Sequence, residues 1–267
     1  MPRDLGDVLH YFIPDGEAGP RQSGPPIATR SIARSTPKVL PIVGVPIGDR
    51  DVVRAAFTWN LTVEIARLGA SAVLLAPTLD ERSPLWPEPG PGPLGAEVVL
   101  GACEDLGELH RAALDLAVSR TENVGSEGGV VFVRIPPRWL REISEGGNLL
   151  RWTLLFSSTD PSDLRETYGI AKLLMNSNPA ARVGVTIHGV KRVDDARRAF
   201  GQLAGSAARH LGREISSYGL LVDDLDVYRA IVAQRPIGLV HPQSPAARAL
   251  RDVARLVLED ARAFTVV

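Results

Sequence analysis

Between Val52 and Leu68 the apolar residues Val52, Val53, Ala56, Phe57, Leu61, Ile65 and Leu68 recur at helical spacing, and Gly69 stands where a helix is expected to end. Apolar runs without alternation lie on both sides. Residues 42–47 come before a polar punctuation, Gly48-Asp49-Arg50-Asp51, and Ala72-Val73-Leu74-Leu75 come after the helix. Such runs belong to strands covered on both faces. The stretch 42–79 therefore predicts strand, loop, helix and a second, parallel strand, joined by a right-handed crossover.

The alternation continues. Glu97–Leu100 predicts a strand, and Glu104–Arg120 an amphipathic helix with an apolar side of Leu106, Leu109, Ala113, Leu114 and Leu116. Residues 128–137 read as a buried strand. Trp152–Phe156, Arg182–Ile187 and Ile215–Leu221 are strands separated by helices over Leu164–Leu174 and Val193–Leu211, with a further helix over Asp223–Gln234. Thr159 or Asp160 is placed to cap the first of these. Leu250, Val253, Leu256 and Val257 give a final helix a face for the sheet. The pattern predicts one doubly wound α/β domain over residues 39–262, with a mainly parallel sheet of about seven or eight strands. Residues 263–267 form a tail.

Residues 1–38 are a different material. Leu5, Val8, Leu9, Phe12 and Ile13 fall on one face of a short helix that stops at Pro14-Asp15-Gly16, and a Gly/Pro/Ser/Arg-rich linker follows. Two arrangements suit this layout: a tethered peptide that binds a partner protein, or a terminal helix packed on its own domain.

Composition narrows the function classes. A formal net charge of −1 over 267 residues gives no electrostatic case for nucleic acid or an anionic membrane. A single cysteine, Cys103, excludes an internal disulfide and a cysteine metal cluster, and fits a reducing cytoplasm. With no apolar leader and no run long enough to span a bilayer, a soluble cytoplasmic protein is expected. The five histidines show no ligand spacing, and no nucleophile motif stands out. Asp223, Asp224 and Asp226 cluster at a predicted helix start, where capping and the helix dipole account for them. Glu259 and Asp260 argue against a lipid-binding final helix.

The loop at 48–51 has the position of a phosphate loop but not its chemistry. Together with Asn60-Leu61, the segment resembles the deviant phosphate loop of the MinD/ParA ATPases, and is most similar to the branch that regulates flagellar number and placement. The helix LRETYGIAKLL at 164–174 and the stretch HPQSPAARALRDVARLVL at 241–258 are similar to that branch too. The likeness covers residues 40 to about 258. It places Gly48 on the first loop glycine and Asp49 on the signature lysine. Arg50, Asp51 and Val53 take the remaining glycines, Arg54 the Walker lysine, and Ala55 the magnesium-binding threonine. Ala76 and Thr78 replace the two acids after the second strand. Arg134 and Arg138 replace the acid and glycine of the second switch region, whose proline persists as Pro136. His188 falls on an asparagine that reads adenine.

Glycine lets a backbone approach phosphate, and two acids at 49 and 51 repel it. The resemblance thus implies the scaffold of an ATPase without its metal or catalytic residues. The expected protein binds no cofactor, neither ATP nor ADP, and acts on protein partners through the N-terminal peptide or the former dimer face, with a homodimer as one arrangement. Resemblance to the flagellar branch implies spatial organisation of a bacterial surface machine. The alternative is a nucleotide-binding switch in which Arg54 stands in for the lysine and binding drives dimerisation with little hydrolysis. An enzyme of another kind finds no support in the sequence.

Overall fold

The computed structural model describes residues 2–9, 39–78, 83–121, 128–141, 143 and 145–263. Among them the elements run α1 (Leu5–Val8), β1 (Ile42–Pro46), α2 (Val52–Arg67), β2 (Ser71–Pro77), β3 (Gly90–Pro91), β4 (Glu97–Gly101), α3 (Leu106–Thr121) and β5 (Gly129–Ile135). Then follow β6 (Trp152–Ser157), α4 (Pro161–Ser177), β7 (Arg182–Val190), α5 (Val193–Leu211), β8 (Ile215–Val222), α6 (Leu225–Val232), α7 (Ile237–Val240) and α8 (Pro245–Ala263). The eight strands form one sheet in the order β3-β4-β2-β5-β1-β6-β7-β8, parallel throughout except for the two-residue β3. The order reverses at β1, between β5 and β6. Loops leaving the carboxyl ends of strands at such a reversal are where open α/β sheets hold ligands.

The core follows from the unalternating runs. β5 is buried along its whole length, as are Val43 and Val45 of β1 and Leu154 and Leu155 of β6. α2 and α8 pack on each other and on the sheet. Leu250, Val253, Leu256 and Val257 of α8 are buried as expected. A buried carboxylate also joins these helices: Glu64 sits 3.4 Å from Arg67 and 3.6 Å from Arg251. Burial raises its pKa, and the two arginines oppose that rise. Asn60 ties the same region to α7, accepting from the Ile237 N–H at 2.8 Å and donating to Ala56 O. The asparagine that carries part of the resemblance thus has a structural task here.

The N-terminal residues settle between the two arrangements offered above. Leu5, Val8 and Leu9 are buried in the core, not free for a partner. α1 packs on β8 and α5, the Ser217 N–H donates to Arg3 O at 2.8 Å, and Arg3 pairs with Asp260. Asp260 also accepts from the buried Tyr218 hydroxyl at 2.5 Å. The expected boundary at 38/39 therefore misses that residues 2–9 belong to the fold. Phe12 and Ile13, and the linker, lie outside the described residues. Among the described residues no helix is long and apolar enough to cross a membrane, and no group of three or more His, Cys, Asp or Glu could hold a metal.

Leu5→Ala should lower the free energy of unfolding by about 2–5 kcal/mol, the usual cost of truncating a buried leucine. Chemical denaturation measures it. A peptide held free for a partner would leave stability unchanged.

Candidate functional site

The site is built where β1, β5 and β6 end. β1 gives way to a four-residue turn, Gly48–Asp51, closed by bonds from the Asp51 N–H to Gly48 O at 3.1 Å and from the Val52 N–H to Arg50 O at 3.0 Å. No residue from 48 to 55 has a left-handed φ. Gly48 has open space around its missing side chain, so neither clash nor backbone demands glycine there. Helix α2 starts at Val52 and is capped by its own acid: the Asp51 carboxylate accepts from the Arg54 N–H at 3.0 Å. A helix N-terminus offers N–H groups and partial positive charge to an anion. Here Asp51 is that anion.

Two clusters of charge flank the turn. In the first, Asp49 accepts from Arg134 at 2.8 Å and also binds Arg138. The Arg134 side chain is only 2% exposed and its guanidinium lies 4.1 Å from the centre of the Trp86 ring. Burial lowers its pKa to about 10 while Asp49 works against that, so it stays charged at neutral pH. In the second cluster Arg54 bridges Asp51, at 3.1 Å, and Asp163 in the first turn of α4. Asp163 also accepts from the Ser158 N–H at 2.6 Å. Burial acts to raise the Asp163 pKa, but the Ser158 N–H and Arg54 overcome it and hold the carboxyl below its ordinary range. His188 closes this cluster with its Nε2 4.0 Å from Asp163 and its ring 5.4 Å from Phe57.

The sequence-predicted residues therefore meet, though not as expected. A lone arginine on a helix is ordinarily solvated, whereas Arg54 is 13% exposed and paired twice. Ala55, Ala76 and Arg134 share an apolar cavity of about 20 Å³ with Ile47 and Trp86. Arg50 and Thr78 lie at the surface, and Val53 packs at the edge of the core. His188 lines the second ion cluster. Asp163, Trp86 and Gln234 went unnoticed in the sequence. For Asp163 and Trp86 the one signal was indirect, since arginines at 54 and 134 in apolar surroundings require acids or aromatic faces nearby; Gln234 left none. Asp160 is the cap of α4, as offered, and Asp224 caps α6.

No family model matches the sequence, and no curated protein matches it significantly. Solved structures do match in fold. The MinD cell division ATPase of Pyrococcus furiosus superposes with a TM-score of 0.59 at 14% identity, over 82% of this chain and 98% of that one. MinD of Aquifex aeolicus gives 0.55 at 15% identity over 82% and 97%, and a ParA family ATPase from Chlorobium tepidum 0.55 at 11% over 82% and 99%. The fold is that of the MinD/ParA ATPases. MinD of Aquifex aeolicus is also known in complex with MinC, at a TM-score of 0.57 and 14% identity over 82% and 96%.

Two measurements test the clusters. Asp49→Ala strands a buried guanidinium and should cost about 1–3 kcal/mol, discounted because Asp49 is itself one-third exposed; adding Arg134→Met should return most of it. The second concerns acid. His188 has its pKa lowered from 6.5 by burial and then by Arg54, against the pull of Asp163 and Asp51. Below pH 6.5 the unfolded chain thus takes up a proton the native one refuses, and stability falls as pH drops through that window. Denaturation midpoints at pH 7.5 and 5.5 should show that fall, and His188→Asn should reduce it.

Proposed function

We propose that this chain is a MinD/ParA-like protein that neither binds nor hydrolyses ATP, and that it works as a scaffold or regulator by binding other proteins. The observation that carries the reading is the Asp49 carboxylate held between Arg134 and Arg138 beside a helix N-terminus already capped by Asp51. A triphosphate needs N–H groups free to converge on it and a cation close by. Here the Asp51, Val52 and Arg54 N–H groups are bonded within the chain, and Arg54 is held by two acids. A magnesium ion needs oxygen ligands, and the cavity at the strand ends is walled by Ala55, Ala76 and a guanidinium. The residues present do not fit Mg²⁺–ATP.

With the ligand chemistry absent, the face that carries it remains available for protein contacts. That MinD of Aquifex aeolicus forms a complex with MinC supports a fold suited to protein partners. The former dimer face, with a second copy or another protein upon it, is the place we assign to such contacts. Spatial organisation of a bacterial surface machine is the process the flagellar resemblance suggests.

Calorimetric titration with ATP and ADP, with and without Mg²⁺, should give no heat up to millimolar nucleotide. Heat that Arg54→Ala abolishes would overturn the reading and make the protein a nucleotide-binding switch that uses Arg54 in place of a lysine.

A further inference from the structure

Gln234 is one of two non-glycine residues with a left-handed backbone among the described residues, at φ +51°. It ends α6: its N–H donates to Ile231 O at 3.0 Å and the Arg235 N–H to Ala230 O at 3.0 Å. This is a Schellman turn, in which glycine takes that position without steric strain. A glutamine persists there only where something else holds it. Its side chain supplies the reason: Nε2 donates to the carbonyl of Pro84 at 2.5 Å and to that of Trp86 at 3.4 Å. These bonds clamp the segment Ser83–Pro87 to α6. The segment also holds local bonds, from the Trp86 N–H to Ser83 O and from the Leu85 N–H to Ser83 Oγ.

Trp86 closes the cleft. It is 8% exposed and covers the face of Arg134, while the neighbouring Leu85 is 38% exposed. Beneath it lies the apolar cavity shared with Ile47, Ala55, Ala76 and Val98. The closed position carries a cost, for the Trp86 indole N–H is buried without a hydrogen-bond partner. Opening gives that N–H access to water, and leaves a charged guanidinium face above an apolar floor. A planar aromatic group satisfies such a face through cation–π attraction.

We propose that Ser83–Pro87 is a displaceable strap, and that Trp86 is a built-in stand-in for an aromatic side chain of a partner protein that docks over Arg134. The site takes an indole, since it holds one already, and the strap is its competitor in the same chain. This rests on the reading that the cleft holds no nucleotide.

The test uses the full chain labelled with 5-fluorotryptophan, whose four tryptophans give four resonances, Trp86→Phe assigning one. Gln234→Gly keeps the left-handed turn, removes the clamp and retains the fold. In the wild type the Trp86 resonance should be shielded from a soluble paramagnetic agent. In Gln234→Gly it should relax severalfold faster, with Trp139 and Trp152 unchanged; Trp59, which lines a pocket with Leu85, Pro87 and Gln234, is not a control. Trp86→Gly, checked for folding by circular dichroism, should bind free indole where the wild type does not, and adding Arg134→Met should weaken that binding. A Trp86 resonance still shielded in Gln234→Gly, or a folded Trp86→Gly that ignores millimolar indole, overturns the proposal. Nucleotide binding by either form would overturn the cleft reading, while the fluorine spectra would still decide the strap.

Discussion

A guanidinium buried at the carboxyl end of a central strand sets the terms for everything around it. Arg134 is enclosed by β5 and its neighbours, yet it keeps its charge at neutral pH. A buried charge without a partner is costly enough that the surroundings must provide one. β1 is the adjacent strand, and the turn that follows it brings Asp49 within 2.8 Å. That pairing fixes the direction of the Gly48–Asp51 turn. The turn in turn positions Asp51 to cap α2, and the capped first turn presents Arg54 to Asp163 across the mouth of the sheet. Trp86 covers the remaining face of Arg134. One buried arginine thus accounts for the acid that answers it and the aromatic ring that lies over it.

Most of the fold was legible because it rests on local periodicity. The helix expected at Val193–Leu211 has those bounds in the structure, and the strand within 128–137 appears as Gly129–Ile135. α4 is longer than the Leu164–Leu174 pattern because its first turn is polar and is held by the Asp160 cap, which hydrophobic spacing does not register. β3 and α7 are too short for any period to be seen. The N-terminal cluster shows a different limit. Leu5, Val8 and Leu9 make an apolar face in either arrangement, and only the surface of β8 and α5 decides where that face goes.

The candidate site was legible in its positions but not in its pairings. That arginine and aspartate stood at the loop could be read directly. That Asp49 answers Arg134, 85 residues away, and that Arg54 answers Asp163, 109 residues away, could not. Ion pairs of such separation leave no periodic trace, and either arginine had several acids to choose from. Trp86 was hidden for a related reason. In a Pro/Gly-rich loop an aromatic residue has no pattern to belong to, and its role depends on a cation from another strand.

The pairing also links two of the substitutions that the resemblance implies. The resemblance puts a lysine where Asp49 stands and an acid where Arg134 stands. In this chain the two signs are exchanged and the pair closes on itself. Changing one side alone would set lysine against arginine or aspartate against aspartate at hydrogen-bonding distance, in a place where water does not screen them. Where both positions are charged, the charges must therefore be opposite, in one order or the other. The order found here keeps the contact between the β1 turn and the end of β5, and with it the packing of the central sheet. The turn after β1 and the end of β5 are then held by one electrostatic arrangement, in which neither charge can reverse without the other.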